Sequence, residues 1–343
     1  MRTPLLAAAA FTFTLAAAAS ASPLPSAAGS DIPHPESVSQ LSGHEVRDIG
    51  RLAQTINFAS CPEQPLPQTL FGQKPSVLIS SADEDQPYDL EDAPDLNWYV
   101  SRSGSTLRLA ISSLPTVEEF VEILAEPRLV PPPAWFFPSL VDRQGPLPLV
   151  HGSLIPALES HGLAATVAVL DTLNTLEALP LGFARRMLHV FRRGPTPITK
   201  IEITGHGLGA ATALLVALAI KLETANGKNP APAVEATLFG LPRVGDEAFA
   251  TWVDSLTEDG HLTIRRVTNG ADAVPHLPGR HLNFVHPASA SEIWLTDDGL
   301  VRCTAASGSM ESERCAASIA LSSTGLGAHS GPYVGVSLGV CPL

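Results

Sequence analysis

Between residues 198 and 268, the spacing of the apolar residues changes from that of a strand to that of a helix and back again. Ile198–Thr204 has the length and β-branched content of a strand, and Ala210–Leu222 is apolar on nearly every side, as in a fully buried helix. Val234–Phe239 and Leu262–Thr268 then predict two further buried strands. A strand, a helix and a strand at this spacing are typical of a right-handed crossover in a parallel sheet. The pattern therefore predicts an α/β fold.

The turn between the first strand and the helix has the form of a catalytic elbow without its central side chain. Residues 205–209 read GHGLG, whereas the nucleophile elbow follows the pattern Gly-x-Ser-x-Gly in the same strand–turn–helix setting. Gly207 stands at the position of the nucleophilic serine and has no hydroxyl. The sequence therefore predicts a scaffold for acyl transfer from which the nucleophile is missing.

The N-terminus has the pattern of a secretory signal. Arg2 precedes a mostly apolar stretch from Leu5 to Ala19, and Ala19–Ala21 has the Ala-x-Ala form of a cleavage site. A membrane anchor is the alternative, but the apolar run is short and Ser and Pro residues follow it. We therefore expect a signal peptide at 1–21, a Pro/Ser-rich leader or pro-segment at 22–45, one folded domain at 46–343, and a secreted, extracellular protein.

A dinucleotide-binding fold is the alternative explanation of the glycine-rich turn. Gly205, Gly207 and Ala210 match its glycine pattern between a strand and a helix. That fold needs an acidic residue at the end of the next strand, whereas Glu235 lies near the start of that strand. A secreted protein also has no ready supply of the cofactor. We therefore expect no cofactor.

The charge of the chain excludes one large class of partner. Among 343 residues, 34 are acidic and 21 basic, which gives a formal net charge of −13 at pH 7. Such a chain has no electrostatic reason to bind nucleic acid, because phosphates attract basic surfaces. No CxxC or HExxH spacing occurs either, so we expect no metal site.

The four cysteines predict two disulfide bonds. An even number of cysteines in a secreted chain favours a disulfide framework, and four cysteines allow three pairings. Cys303 with Cys315 would close a short local loop, and Cys61 with Cys341 would join the start of the domain to its end. We predict these two bonds.

A proline-rich segment interrupts the regular pattern. Leu129–Leu149 contains six prolines and is therefore not a regular element. It also carries Trp135, Phe136 and Phe137. An apolar loop of this kind either covers a lipid site or packs against the fold, and the sequence leaves both alternatives open.

Two motifs after the elbow resemble those of the class 3 fungal lipases. Thr237–Asp246 (TLFGLPRVGD) resembles the TFGxPRVG stretch of that family. Asn269–Pro278 (NGADAVPHLP) resembles the NxxDxVPxLP segment, which carries the catalytic aspartate of these lipases.

Two later motifs continue the resemblance in the same order. Phe284–Pro287 (FVHP), followed by Glu292–Trp294, is similar to the HPxGEIW hairpin of the family. Ala328–Tyr333 (AHSGPY) is similar to the DHxxYFG segment, which carries the catalytic histidine. The resemblance is to basidiomycete-type secreted lipases and extends from about Cys61 to Cys341. It implies an α/β-hydrolase fold, with a central, mostly parallel sheet and helices on both faces.

The resemblance also implies a triad at Gly207, Asp272 and His329, in the chain order nucleophile, acid, base. Asp272 would orient the imidazole, and His329 would act as general base and acid. Each residue has a plainer explanation as well: Asp272 could be an Asx-type turn residue, and His329 an exposed loop histidine. Because both motifs are in register, we favour the catalytic positions.

The surroundings of the predicted nucleophile depart from the family pattern. The family's RG[ST] sequence falls on Ser112–Leu114, which puts Leu114 in place of a hydroxyl donor to the oxyanion. The oxyanion region also includes Leu208, since backbone N–H groups at the elbow could still donate. His206 is expected to point away from the site. No Ser or Cys occurs between Ser160 and Ser255 to replace the nucleophile. The elbow residues around Gly207 are Gly205, His206 and Gly209.

These departures favour a secreted protein of the lipase family whose catalysis is lost or much reduced. The first hypothesis is a pseudo-lipase that binds lipid or another ester-type hydrophobic ligand, with transient contact to the lipid–water interface. The alternative is an active triacylglycerol lipase or esterase with a non-standard nucleophile.

Overall fold

The computed structural model describes residues 36–61, 76–81, 96–113, 124, 127–141, 143–178, 196–227 and 231–339. The strands in these ranges are β1 Ser37–Gln40, β2 Ser76–Ser80, β3 Leu96–Ser103, β4 Thr106–Ser113, β5 Leu129–Val130, β6 Val150–His151, β7 Lys200–His206, β8 Ala233–Phe239, β9 Leu262–Asn269, β10 Ser291–Thr296 and β11 Gly299–Thr304. The α-helices are α1 Gly43–Ser60, α2 Leu154–Ala157, α3 Leu163–Ala178, α4 Leu208–Gly227 and α5 Glu247–Thr257. A π-helical turn, Leu158–Gly162, joins α2 to α3.

Nine of the described strands form one sheet, in the order β1-β11-β10-β9-β8-β7-β4-β3-β2. Its five central strands, β10, β9, β8, β7 and β4, run parallel to one another. The outer strands pair antiparallel at both edges. The predicted α/β-hydrolase fold is confirmed. The parallel strands form the centre of the sheet, and the antiparallel strands form its edges.

Helices cover both faces of this sheet. Side chains alternate between the faces of a strand, so Leu109 and Leu238 pack with α4 in the larger cluster. Their neighbours face the other way: Ala110 packs with Ala59 of α1, and Phe239 packs with other α1 residues. The sheet therefore lies between two buried layers.

The helix after the elbow is longer than the sequence predicts. It runs from Leu208 to Gly227, and it starts two residues early because the turn before it takes up a single residue. Leu154–Thr175 and Leu208–Ala225 are both long and apolar enough to cross a membrane by length and composition alone. In the second of these, 83% of the apolar window is buried inside the fold, as in the core helix of a globular domain.

The folded unit takes in residues that the sequence assigns to the leader. Ser37–Gln40 pairs antiparallel with β11. α1 begins at Gly43, where Ser42 and Glu45 form a reciprocal capping box. The last part of the predicted segment 22–45 is therefore sheet and helix.

One of the two predicted disulfides is present among the described residues. Cys303 in β11 is bonded to Cys315, with a Cα–Cα distance of 6.3 Å. Cys341 lies outside the described residues, so its pairing with Cys61 stays a prediction.

The proline-rich segment packs largely against the fold. Phe137 is fully buried, and its ring meets that of Trp252 edge to face at 5.3 Å. Phe136 is buried beside it. Trp135, in contrast, is 52% exposed. Two of the three aromatic residues therefore pack against the fold, as one of the two alternatives predicts, and the third does not.

Candidate active site

A single residue forms the turn of the elbow. β7 ends at His206 and α4 begins at Leu208, so Gly207 alone makes the turn, with a φ of +57°. Glycine adopts this left-handed conformation without the steric strain that other residues meet. A Cβ atom on Gly209 would come within 2.6 Å of the Ile111 carbonyl oxygen, and one on Gly205 would collide with the Gly209 backbone. These two glycines let the helix start close against the strands.

The acid and the histidine of the predicted triad lie together. His329 Nδ1 is 2.9 Å from Asp272 Oδ2. Both side chains are buried, Asp272 completely and His329 to within 2%. His329 is therefore not an exposed loop residue. Asp272 Oδ1 also accepts the Val274 N–H at 3.0 Å, so the Asx-type interaction is present together with the histidine contact.

The third predicted position faces the histidine from the other side. A Cβ atom built on Gly207 would lie 2.9 Å from His329 Nε2. A side chain at residue 207 would therefore point at this nitrogen, opposite the nitrogen that Asp272 holds. The geometry is that of a nucleophile–base–acid row in which the first member is only a backbone position.

A second glycine, which the sequence analysis does not single out, makes room for the pair. Gly240, directly after β8, has a φ of +55°. A Cβ atom there would lie 2.5 Å from His329 Cε1, 2.7 Å from its Nδ1 and 3.2 Å from Asp272 Oδ2. The imidazole rests against this backbone. The signal was available, since Gly240 is the glycine of the TFGxPRVG-like stretch.

Backbone and amide contacts hold the two loops in register. The Asn269 side-chain amide donates to the Ala328 carbonyl at 2.7 Å, just before His329. Gly325 N–H donates to Ala271 O at 2.9 Å, and Ala273 N–H donates to Gly325 O at 3.2 Å. The loop after β9 and the loop before His329 are therefore bonded on both sides of Asp272.

The expectation that His206 points away from the site is wrong. Its ring stacks on the His329 ring, with centroids 4.3 Å apart and 27° between the planes. His206 Nε2 is 2.9 Å from the His329 carbonyl oxygen, so this nitrogen carries the proton and donates. Burial, and then the repulsion from His329, hold the pKa of His206 well below its usual value. His206 is therefore a neutral support for the loop that carries His329.

Ser113 is a site residue that the sequence did not identify. It ends β4, which lies beside β7 in the sheet, with Ile111 paired to Gly205. Its Oγ is 3.5 Å from the point where a Gly207 Cβ would be and 3.5 Å from the His206 carbonyl oxygen. The signal was the RG[ST] register, in which Ser113 replaces the family's glycine.

The predicted oxyanion region is described only in part. Leu208 is fully buried at the first position of α4. The positive end of this 20-residue helix therefore lies directly beside Gly207. Leu114 lies outside the described residues, and the missing hydroxyl donor there stays a prediction.

A buried ion pair braces the loop that carries Asp272. Arg243 donates to Glu311 through Nε at 2.7 Å and through a terminal nitrogen at 2.8 Å. The same guanidinium donates to the carbonyls of His276 and Pro278, just after Asp272. Burial alone raises the pKa of Glu311, but the hydrogen bonds and charge of Arg243 outweigh it and hold that pKa well below its usual value.

A parallel-centred sheet with an elbow after a central strand, and an acid and a histidine on later loops, defines an α/β-hydrolase. Solved structures share this fold. The native Rhizomucor miehei lipase–propeptide complex has a TM-score of 0.62 at 21% identity, over 89% of this chain and 85% of that one. The Lip2 lipase of Yarrowia lipolytica has a TM-score of 0.59 at 19% identity, over 90% and 98% of the two chains.

Sequence comparisons find similarity to lipases over part of the chain. A family model described as lipase (class 3) matches residues 164–282. A lipase of Rhizomucor miehei is 36% identical over 149 residues, which are 42% of this chain and 37% of that protein. A secreted mono- and diacylglycerol lipase of Malassezia globosa is 40% identical over 97 residues, 28% of this chain and 29% of that one. The central part of the chain is therefore similar to class 3 lipases, and its sequence matches span about a third of the length of these relatives.

Proposed function

We propose that this protein is a secreted pseudo-lipase: it binds lipid or ester-type hydrophobic ligands at the Gly207–Asp272–His329 site and has lost the acyl-enzyme route. A serine hydrolase needs an Oγ atom that attacks the ester carbonyl and passes its proton to the histidine. Residue 207 has no such atom.

One observation supports this proposal most directly. The point where a Gly207 Cβ would be lies 2.9 Å from His329 Nε2, while His329 Nδ1 is 2.9 Å from Asp272. The base and its acid are thus aligned on a position that lacks the nucleophile. Loss of activity through a collapsed site would leave no such alignment.

Lipid as the ligand class is supported by the family and by the surface. The named relatives are lipases, and one is described as a secreted mono- and diacylglycerol lipase. Trp135, Val141 and Leu147 are exposed apolar residues on the proline-rich segment, at 52%, 66% and 49%. Such residues suit transient contact with a lipid–water interface. The Ala-x-Ala signal at the N-terminus and the secreted relatives favour export.

The proposal is tested by two measurements on the purified protein. We expect hydrolysis of p-nitrophenyl butyrate and palmitate at no more than the rate of the His329→Ala variant. That control is needed because binding and oxyanion contacts alone can leave about 10³- to 10⁴-fold catalysis over water. We also expect saturable binding of monolauroylglycerol in calorimetry. A large His329-dependent rate would refute the loss of catalysis, and absence of binding would refute the ligand class.

A single observation favours a second candidate, an esterase with Ser113 as its nucleophile. The Ser113 Oγ lies 3.5 Å from the position of the missing side chain. After a rotation, this oxygen would attack the ester carbonyl while its proton passes to His329 Nε2. The histidine would then protonate the leaving alcohol, and water would hydrolyse the acyl-enzyme. Labelling of Ser113 by a fluorophosphonate, lost in Ser113→Ala, would establish this candidate over the pseudo-lipase.

A further inference from the structure

A cluster of buried ionisable side chains lies against residues 272–278, the loop after β9, which we call the Asp272 loop. Six of these side chains line a cavity of about 10 Å³, which has room for about one water molecule. All six residues are at most 8% exposed: Arg243, Arg266, His276, His286, Glu292 and Glu311. Burying ionisable groups costs free energy unless they are paired. The partners of each group therefore decide how the cluster responds to pH.

The two histidines of this cluster each present a buried ring nitrogen to no partner. His286 Nε2 donates to the Pro275 carbonyl at 3.0 Å, so Nδ1 of the neutral ring can only accept. Neither His286 Nδ1 nor His276 Nε2 has a hydrogen-bond partner among the residues that the structure describes. A proton added at either nitrogen therefore gains no hydrogen bond from these residues.

The two carboxylates of the cluster are engaged by other groups. Glu311 accepts two hydrogen bonds from the Arg243 guanidinium. Glu292 accepts the Thr268 hydroxyl at 3.1 Å and lies 3.9 Å from Arg266. Two arginines thus match two glutamates in number, and a positive charge on a histidine would have no countercharge of its own.

Burial and neighbouring charge keep both rings neutral at neutral pH. The charged groups around them come from five parts of the chain: Arg243, Arg266, Asp272, Glu292 and Glu311. Burial, and then the charge of Arg266, hold the pKa of His286 well below its usual value. Burial, and then the charge of Arg243, lower the pKa of His276. The nearby carboxylates oppose both shifts without outweighing them.

The same groups hold the Asp272 loop by its backbone. His286 and Arg243 together donate to three of the carbonyl groups in this loop. The first residue of the loop, Asp272, is 2.9 Å from His329 Nδ1 through its Oδ2 atom. Loosening the cluster would therefore release the acid of the candidate triad from its histidine.

We propose that His276 and His286 form an acid-sensitive switch: neutral, they hold the Asp272 loop closed, and proton uptake on acidification opens the loop and separates Asp272 from His329. Opening brings both rings into water, where a protonated imidazole is solvated. The inference does not depend on which ligand the site binds, so it is independent of the proposed function.

The sign and size of the effect follow from proton linkage. A lowered pKa in the closed loop means that the closed state is fully stable above the ordinary histidine pKa of about 6.5 and loses stability as the pH falls below it. One histidine that stays neutral when closed and titrates ordinarily when open shifts the opening equilibrium by about 25-fold between about pH 7 and pH 5. Burial raises the pKa of Glu311, but the hydrogen bonds from Arg243 outweigh it, so Glu311 stays ionised over this range.

Hydrogen exchange, followed by mass spectrometry on the full chain without ligand, measures this opening. Within the loop, the His276 and Leu277 amides donate to carbonyls of the same loop and report on its closure. After correction for intrinsic exchange rates, we expect the opening equilibrium of residues 272–278 to rise by about 25-fold or more from about pH 7 to pH 5. Peptides from α4 should keep their protection, and return to neutral pH should restore that of the loop.

Variants that cannot take up a proton test the two rings directly. His286→Gln keeps an amide donor for the Pro275 carbonyl, and we expect it to lose most of the pH response. The double variant His276→Gln, His286→Gln should show the same loop protection at both pH values. His281→Gln is the matched control, because His281 is an exposed histidine close to the loop and is not a member of the cluster; its pH response should equal that of the wild type.

Several results would overturn the proposal. These are a wild-type loop whose protection does not change with pH, a double variant that responds like the wild type, and loss of the response in His281→Gln. Loss of protection in α4 at the same pH would indicate global unfolding and would overturn it as well. If the double variant does not fold, the ¹³Cε1 signals of the wild-type rings decide. They should shift at the pH at which the loop opens, and titration of both rings under a protected loop would refute the switch.

Discussion

Restoring the missing hydroxyl with Gly207→Ser is the sharpest test of the site geometry. A Cβ atom at residue 207 would lie 2.9 Å from His329 Nε2, which is too close for a carbon and a nitrogen to remain unmoved. A hydroxyl one bond further out forms an O–H···N hydrogen bond if the imidazole withdraws by about half an ångström. The hydrogen bond to Asp272 and the stacking on His206 must both adjust to a shift of this size.

The expected rate follows from two opposing magnitudes. Loss of the nucleophile alone lowers kcat by about 10⁶-fold in a serine hydrolase. One missing oxyanion donor, as predicted at Leu114, costs about 10²- to 10³-fold. Gly207→Ser should therefore hydrolyse p-nitrophenyl butyrate about 10³- to 10⁴-fold faster than the wild type. Adding Leu114→Thr should recover part of the remaining difference.

Stability supplies the internal control for this experiment. A non-glycine residue at a φ of +57° costs about 1–3 kcal/mol, which lowers the melting temperature of a domain of this size by about 2–10 °C. Gly260→Ser carries similar backbone strain at a φ of +72° without neighbours, and it should lower the melting temperature without any gain in rate. If Gly207→Ser melts in this range yet neither turns over esters nor reacts with a fluorophosphonate, the alignment of Asp272 and His329 is refuted.

Two further predictions concern what holds the pair in place. In the Gly207→Ser background, Gly240→Ala should remove the regained activity, because its Cβ would lie 2.5 Å from the His329 ring; an ester assay showing unchanged activity would contradict this contact. Glu311→Gln should destabilise the fold by about 3–5 kcal/mol at pH 7, since it leaves Arg243 buried without its countercharge. The folded-state pKa of Glu311 is depressed, so its contribution is present above the ordinary glutamate pKa of about 4.3 and is lost as pH falls below it. Melting curves between about pH 3 and pH 7 should therefore show a flatter acid limb for Glu311→Gln, and parallel limbs would refute this role.

The sequence predicted the positions of the candidate triad, Gly207, Asp272 and His329, better than it predicted the residues around them. Asp272 and His329 were found through motifs in which chain order and spacing carry the information, and the structure brings His329 to Gly207 with Asp272 bonded to its other ring nitrogen. The RG[ST] register brings residues 112–114 near the nucleophile but assigns the donor position to Leu114, and the approach of Ser113 depends on strand order. Nothing in the local pattern says that β4 lies beside β7, and only that pairing brings residue 113 to the elbow.

The wrong expectation for His206 has a similar cause. Alternation along β7 gives the side on which a residue points, but it does not say which loop covers that side. The loop with His329 folds over the end of the strand, so the two rings stack. Gly240 was overlooked for a related reason. Its role depends on the His329 ring, which a distant part of the chain brings against it. Its significance appears only when the imidazole is seen 2.5 Å from its Cβ position.

Glycine at residue 207 connects the stability of the turn with the proposed loss of catalysis. A side chain at this φ is strained, and an active elbow accepts that strain because the nucleophile must project toward the base. Glycine removes the strain, so it stabilises the turn while it removes the chemistry. The neighbouring polar groups remain in place: His329 Nε2, the Ser113 hydroxyl and the start of α4 all border the position that a side chain at residue 207 would take.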